Sequence, residues 1–169
     1  MESALPKNST RKRLYTEEER ARRDATKWTL VQGILAPLQF LAFGISLALV
    51  LRFLWTGEGY AAATASIIVK TGFLYVIMVT GAIWEKVVFG RYLFAPAFFW
   101  EDVFSMGVIA LHTAYLWALF TGQPHQVQMY IALAAYSTYV INAGQFVWKL
   151  RAARLDAEAE ARTSGGVPA

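Results

Sequence analysis

A chain of 169 residues is the length of one domain, but with 56% hydrophobic, 15% aromatic and only 17% charged residues its composition is not that of a water-soluble one. The net charge of +4 sits at the ends: Met1–Lys27 holds eight Lys/Arg and five Asp/Glu, Lys149–Ala169 holds four and three, and the 121 residues between hold four of each sign. Such a middle cannot cover an outside facing water, which places it in lipid and makes anionic headgroups, not nucleic acid, the partner of the basic ends.

The chain has no Cys, which excludes disulfides, thiolate metal sites and Cys nucleophiles. Its first 27 residues are polar rather than those of a cleavable signal, so the first apolar run is expected to insert and stay as an anchor. Within that tail Thr16-Glu-Glu-Glu19 has the form of a capping box, and it starts a short helix expected to lie on the membrane surface. The residues before it, including Pro6 and Arg11-Lys12-Arg13, are expected to be loose.

A bilayer core of ~30 Å needs ~20 helical residues, and the runs Trp28–Trp55, Tyr60–Trp84, Phe94–Phe120 and Val127–Trp148 qualify. Polar breaks at Thr56-Gly-Glu-Gly59 and Thr121-Gly-Gln-Pro-His125 separate the first pair and the last pair. Pro37 removes a backbone donor in mid-span and is expected to kink the first helix. The reading is an all-α, integral membrane four-helix bundle with short polar termini. Residues 1–27 are a basic tail with a surface helix, 28–150 the membrane domain, and 151–169 a polar C-terminal tail. Lys and Arg cluster in both tails and in the 85–93 connection, so both termini and that connection are expected in the cytoplasm. Tryptophans at 28, 55, 84, 100 and 148 fall near the span ends, where an aromatic belt belongs.

Polar side chains inside spans are costly and usually face protein or water. At 1.5 Å per residue, Gln32, Glu101, Asp102, Asn142 and Gln145 fall within roughly 10 Å of the cytoplasmic border, and Gln39, Lys70 and His112 about 15–20 Å deep. On the third span Glu101, Ser105, His112 and Tyr115 lie within about 40° of one line. Polar stripes on every span imply a pocket between them, open toward the cytoplasm. Each residue also has a plainer role: Lys70 as a snorkelling or ion-paired cation, His112 as a hydrogen-bonded core histidine, the amides as interhelical glue. Glu101 and Asp102, side by side among Phe98, Phe99 and Trp100, are an expensive way to begin a helix. Loss of hydration there favours a carboxyl that keeps its proton, the condition for a general acid.

No Walker loop, dinucleotide fingerprint or HExxH zinc motif is present, and Ser105 and His112 are too far apart on one helix for a nucleophile–base pair. Carboxylates, a lysine, a buried histidine and aromatics suit acid–base addition or elimination on a large, flat, amphiphilic molecule, whose metal the histidine could ligate.

The blocks WTLVQGILAPLQF, YAAATASIIVKT, MVTGAIWEKVVFGRYLFAPAFFWEDVFSM, LHTAYL and YVINAGQF resemble the 3-vinyl (older name 2-vinyl) bacteriochlorophyllide hydratase family, with the likeness running from Tyr15 to Leu155. The resemblance implies a lyase of bacteriochlorophyll synthesis that adds water to the C3-vinyl group of chlorophyllide a or a 3-vinyl bacteriochlorophyllide. The product carries a 1-hydroxyethyl group, which a dehydrogenase then oxidises to acetyl. It implies no redox or nucleotide cofactor, only the magnesium that the substrate carries, and it makes neighbouring pigment-biosynthesis enzymes candidate partners. It brings no catalytic set with it, so roles follow from chemistry. Glu101 or Asp102 is the expected acid, the other orients or deprotonates the water, and Glu85 is the next candidate. His112 is a candidate ligand to the substrate's magnesium, Lys70 or Arg91 a partner for its propionate, and Gln39, Asn142 and Gln145 further substrate contacts. The competing class is a tetrapyrrole carrier or haem-anchoring subunit. Against haem, only His112 lies within a span, while His125 sits in the opposite loop.

Overall fold

A computed structural model describes residues 14–164, and among them the chain is helical with no strands. The Pro6 and Arg11–Arg13 stretch lies outside the described residues. Helix α1, Glu17–Ala25, opens on the expected capping box: the Glu19 N–H donates to Thr16 Oγ1 (3.2 Å) and the Thr16 N–H to Glu19 Oε2 (2.8 Å). Nothing on α1 is buried. Tyr15, just before it, is tucked against Phe89 and Phe98, and burial pushes its phenol up to about 12.

Helix α2, Lys27–Thr56, starts at Thr26, whose hydroxyl accepts from the Trp28 N–H (3.3 Å). It runs as one helix through Pro37. It stops at Gly57, where a φ of 75° is available to glycine at little cost. Helix α3, Tyr60–Phe89, ends in the same way at Gly90, φ 81°. Helix α4 spans Phe99–Phe120 and α5 spans His125–Ser164. The helix that carries the fourth apolar run therefore does not end with it at Trp148. It continues as helix through Arg151 and Arg154, where Ala, Leu, Glu and Arg are strong helix formers and Arg154 pairs with Glu158 one turn on (3.0 Å).

Two antiparallel hairpins result, α2/α3 and α4/α5, and each packs more closely within itself than against the other. They meet through α2 on α5 and α3 on α4. Their short connections are held together by Tyr60, which stacks on His125 (3.6 Å) and donates to Gln128 Oε1 (2.7 Å). The apolar interior has a large cluster near those connections around Val50, Ile67, Tyr115 and Tyr136. A small one lies midway at Leu74, Val108 and Tyr139, and an aromatic one at the far end at Tyr15, Val88 and Phe98.

Helices α2, α3 and α4 are each long and apolar enough to cross a membrane. Their burial pattern agrees with that setting. Leu41, Ile45, Val79, Trp117 and Phe120 face outward, while Gln39, Lys70, Glu85, Asp102 and His112 are buried. A soluble protein arranges these types the other way round. The tryptophans divide: Trp55, Trp100 and Trp148 are exposed as belt residues should be. Trp84 instead points inward, its indole N–H donating to Thr29 Oγ1 (2.9 Å).

Candidate active site

The end of α3, the 90–98 connection and the start of α4 bring three carboxyls together below the aromatic cluster. Glu85 and Glu101 are 5% exposed and Asp102 is 3%. Backbone amides of the connection hold two of them: the Phe94 N–H donates to Asp102 Oδ2 (2.7 Å) and the Ala95 N–H to Glu85 Oε2 (3.2 Å). Presenting that pair of amides requires Phe94 to take a φ of 59°, a left-handed conformation that costs a residue with a Cβ about 1–3 kcal/mol. Strain of this kind persists where the surroundings over-determine it, and here it aims a donor at a buried acid.

The adjacent acids at the head of α4 part company. Glu101 receives Lys149 Nζ from α5 at 2.6 Å, and the same ammonium bonds the Ala97 carbonyl and lies over the Phe98 ring (5.1 Å). Asp102 turns to Glu85, and their carboxyls are within hydrogen-bonding reach of each other. A carboxylate has no donor, so a bond between two carboxyls requires one proton held between them. Such a pair has what an acid and base need: one member with a proton to give and one free to take one.

One turn further along α4, Ser105 accepts from Asn142 Nδ2 of α5 (2.8 Å). Asn142 Oδ1, Gln145 Oε1 and both polar atoms of the Gln39 amide are buried without a hydrogen-bonding partner among the described residues. Arg91 is exposed on the connection, and beside it Lys86 donates to the Gly90 carbonyl (2.9 Å).

The deeper layer is separate. His112 Nδ1 lies 2.8 Å from the Val108 carbonyl, which can only accept, so Nδ1 carries the proton and Nε2 is left with its lone pair. Lys70 Nζ faces that lone pair at 3.3 Å. Both side chains are fully buried, and Lys70 rests over the Tyr139 ring (4.0 Å) with no carboxylate bonded to it among the described residues. His112 would bind a metal only by giving up Lys70. His125, the first residue of α5, is occupied by its stack on Tyr60. No group of three His, Asp or Glu with metal-holding geometry occurs among the described residues.

Sequence reasoning did not single out Lys149 as a site residue. It reads there as one more positive charge at a span end, and only the helix pairing shows that it reaches Glu101. The Glu85–Asp102 partnership was equally hidden, since a bend at Phe94 without glycine creates it.

The molecule is thus of the class of all-α proteins with several helices long and apolar enough to cross a membrane, here with buried carboxyls next to exposed aromatic rings. Over residues 15–152 it matches the family described as 2-vinyl bacteriochlorophyllide hydratase. It is 81% identical over 155 residues to the 2-vinyl bacteriochlorophyllide hydratase of Rhodobacter capsulatus, covering 92% of this chain and 91% of that one. To the protein of the same name from Cereibacter sphaeroides it is 84% identical over 148 residues, 88% of this chain and 92% of that one. The chain belongs to the 2-vinyl bacteriochlorophyllide hydratase family. No solved structure matches it.

Proposed function

We propose that this protein is a hydro-lyase that adds water to the C3-vinyl group of chlorophyllide a or a 3-vinyl bacteriochlorophyllide, giving the 3-(1-hydroxyethyl) derivative. The observation that carries this reading, beside family membership, is the Glu85–Asp102 pair. The shared proton goes to the terminal vinyl carbon. This leaves a cation on the carbon next to the macrocycle, where conjugation spreads the charge. Water then forms the new C–O bond and returns a proton to the carboxylate that has become the base, so the pair ends as it began. Glu101, engaged by Lys149, ties α5 to the head of α4 beside this pair.

The exposed rings of Tyr92, Phe94, Phe99 and Trp100 border the acids and offer a flat apolar surface to a pigment that partitions into the bilayer. Arg91 on the connection and Lys70, about 15 Å deeper along the helix direction, are the cations available to a propionate. The reaction needs no electrons and no nucleotide. Magnesium arrives with the substrate, and His112 is its candidate ligand if Lys70 moves aside. A dehydrogenase that accepts the hydroxyethyl product is a natural neighbour in the same membrane.

The assay that tests this gives the protein in detergent or lipid a 3-vinyl chlorophyllide and no added cofactor. The 3-(1-hydroxyethyl) product is expected, and in isotopically labelled water its hydroxyl oxygen is expected to come from solvent. Oxygen drawn from O₂, or binding of pigment without conversion, would sink the hydratase reading, the latter in favour of a carrier.

The same reading has α5 cross the membrane in its first half as a fourth span. Both termini and the acid site then lie on the cytoplasmic side of the bacterial inner membrane. Because the chain has no native Cys, single cysteines at 57, 91, 123 and 155 can be labelled one at a time. Positions 91 and 155 are expected to react only from the cytoplasm, and 57 and 123 only from outside. Opposite exposure of 91 and 155 would rule out a fourth crossing.

A further inference from the structure

A hydratase has a second substrate, and in a membrane it is the scarcer one. The polar atoms that the protein leaves unmatched indicate where it is held. Gln39 is 2% exposed and Asn142 is 8% exposed, yet neither polar atom of the Gln39 amide nor Asn142 Oδ1 has a hydrogen-bonding partner among the described residues. Buried amides are almost always matched, by protein or by ordered water, because stripping them of both is costly.

Helix register puts these residues on neighbouring faces of α2 and α5. Phe43 of α2 packs on Tyr139 of α5 with ring centroids 5.0 Å apart. One turn toward the carboxyl end of the bundle from that contact lie Gln39 on α2 and Asn142 on α5, on facing sides of an antiparallel pair. Ser46, two turns along α2 on the same face as Gln39, bonds Tyr136 of α5 and Ser66 of α3, so this face looks into the bundle. Asn142 also bonds Ser105, one turn along α4 from Asp102, and Gln145, whose Oε1 is likewise buried and unmatched, is one turn nearer the acids. The unmatched amides therefore lie on inner faces of α2 and α5, and Asn142 is bonded to α4 one turn from Asp102.

We propose that Gln39, Asn142 and Gln145 form a niche that binds the attacking water and hands it to the site at Asp102 and Glu85. The proposal rests on the hydratase reading and specifies what these amides hold: water, not the macrocycle. Water donates two hydrogens and accepts two, so the attacking water with one companion can meet the three amide oxygens and the Gln39 amide N–H; the pigment's own anionic edge, its propionate, has Arg91 and Lys70 available to it. Gln39 Nε2–H and the carbonyl oxygens fix the water's orientation, so that its oxygen forms the C–O bond while its proton leaves toward the carboxylate.

The test is a competition between nucleophiles. The full-length protein is given 3-vinyl chlorophyllide in water–methanol mixtures, and the 3-(1-methoxyethyl) ether is measured against the 3-(1-hydroxyethyl) alcohol. Methanol adds by the same balance, forming its C–O bond and giving its hydroxyl proton to the carboxylate. A niche sized for water discriminates against the extra methyl, and Gln39→Ala or Asn142→Ala opens it, so the ether-to-alcohol ratio is expected to rise about tenfold. The ratio is set only by molecules that turn over, so a smaller folded fraction does not alter it. Gln39→Asn and Asn142→Ser, which shorten but keep a polar group, are expected to fall between. If the alanine variants make no product, wild-type affinity for the pigment upholds the niche. Affinity lost in parallel overturns it, because the amides then hold the ring. An unchanged ratio in active variants also overturns it. Wild-type protein making neither product would instead refute the hydratase reading itself.

Discussion

Asp102→Asn is expected to slow hydration roughly 10²–10⁴-fold while leaving pigment affinity nearly unchanged. Asn keeps the shape and can still accept from the Phe94 N–H that now reaches Asp102 at 2.7 Å. What it cannot do is share a titrating proton with Glu85. Glu85→Gln removes the same proton from the other side, and the double variant is expected to be little slower than either single one, because the two act as a unit. Glu101→Gln should cost much less in rate, since that carboxylate is already engaged by Lys149. The measurement is single-turnover conversion of a 3-vinyl chlorophyllide alongside equilibrium pigment binding. If Glu101→Gln proves the crippled variant and the other two run near wild-type rate, the proton machinery is the other acid of the 101–102 pair.

The second large effect is on stability. Lys149→Met leaves Glu101 buried at 7% side-chain exposure without its cation, and stranding a buried charge costs about 3–5 kcal/mol. The Lys149 side chain is 27% exposed, so the lower end of that range is expected here. Lys149→Met combined with Glu101→Gln removes both charges and should recover most of the loss. Unfolding in detergent, followed by tryptophan fluorescence, reads both. A double variant as unstable as Lys149→Met would mean that the Lys149 bond to the Ala97 carbonyl, not the ion pair, ties α5 to the head of α4.

Much of this architecture is legible from composition and periodicity, because lipid allows so few backbone solutions. The Thr16–Glu19 box, the glycine stops at 57 and 90 and the polar faces of the long helices are local features with local causes. Depth counting also puts Lys70 and His112 in one layer, where the structure gives them a hydrogen bond. What is not legible depends on contacts between distant segments. Nothing in the string distinguishes Glu101 from its neighbour Asp102. Their different partners follow from the approach of α5 on one side and the left-handed turn at Phe94 on the other. The end of α5 misleads for another reason: charged residues that mark the limit of a span do not mark the limit of a helix.

The acid pair straddles the link between the two hairpins, Glu85 closing one and Asp102 opening the next. Seventeen positions separate them in the chain. During synthesis at ~5–20 residues per second, Glu85 is made about 1–3 s before its partner. For that interval, and until the second hairpin has inserted and docked, the newborn chain carries an acid without its counterpart. Under the proposed mechanism, maturation of this protein is its own safety catch: a truncated or half-inserted copy lacks the pair that protonates the vinyl group.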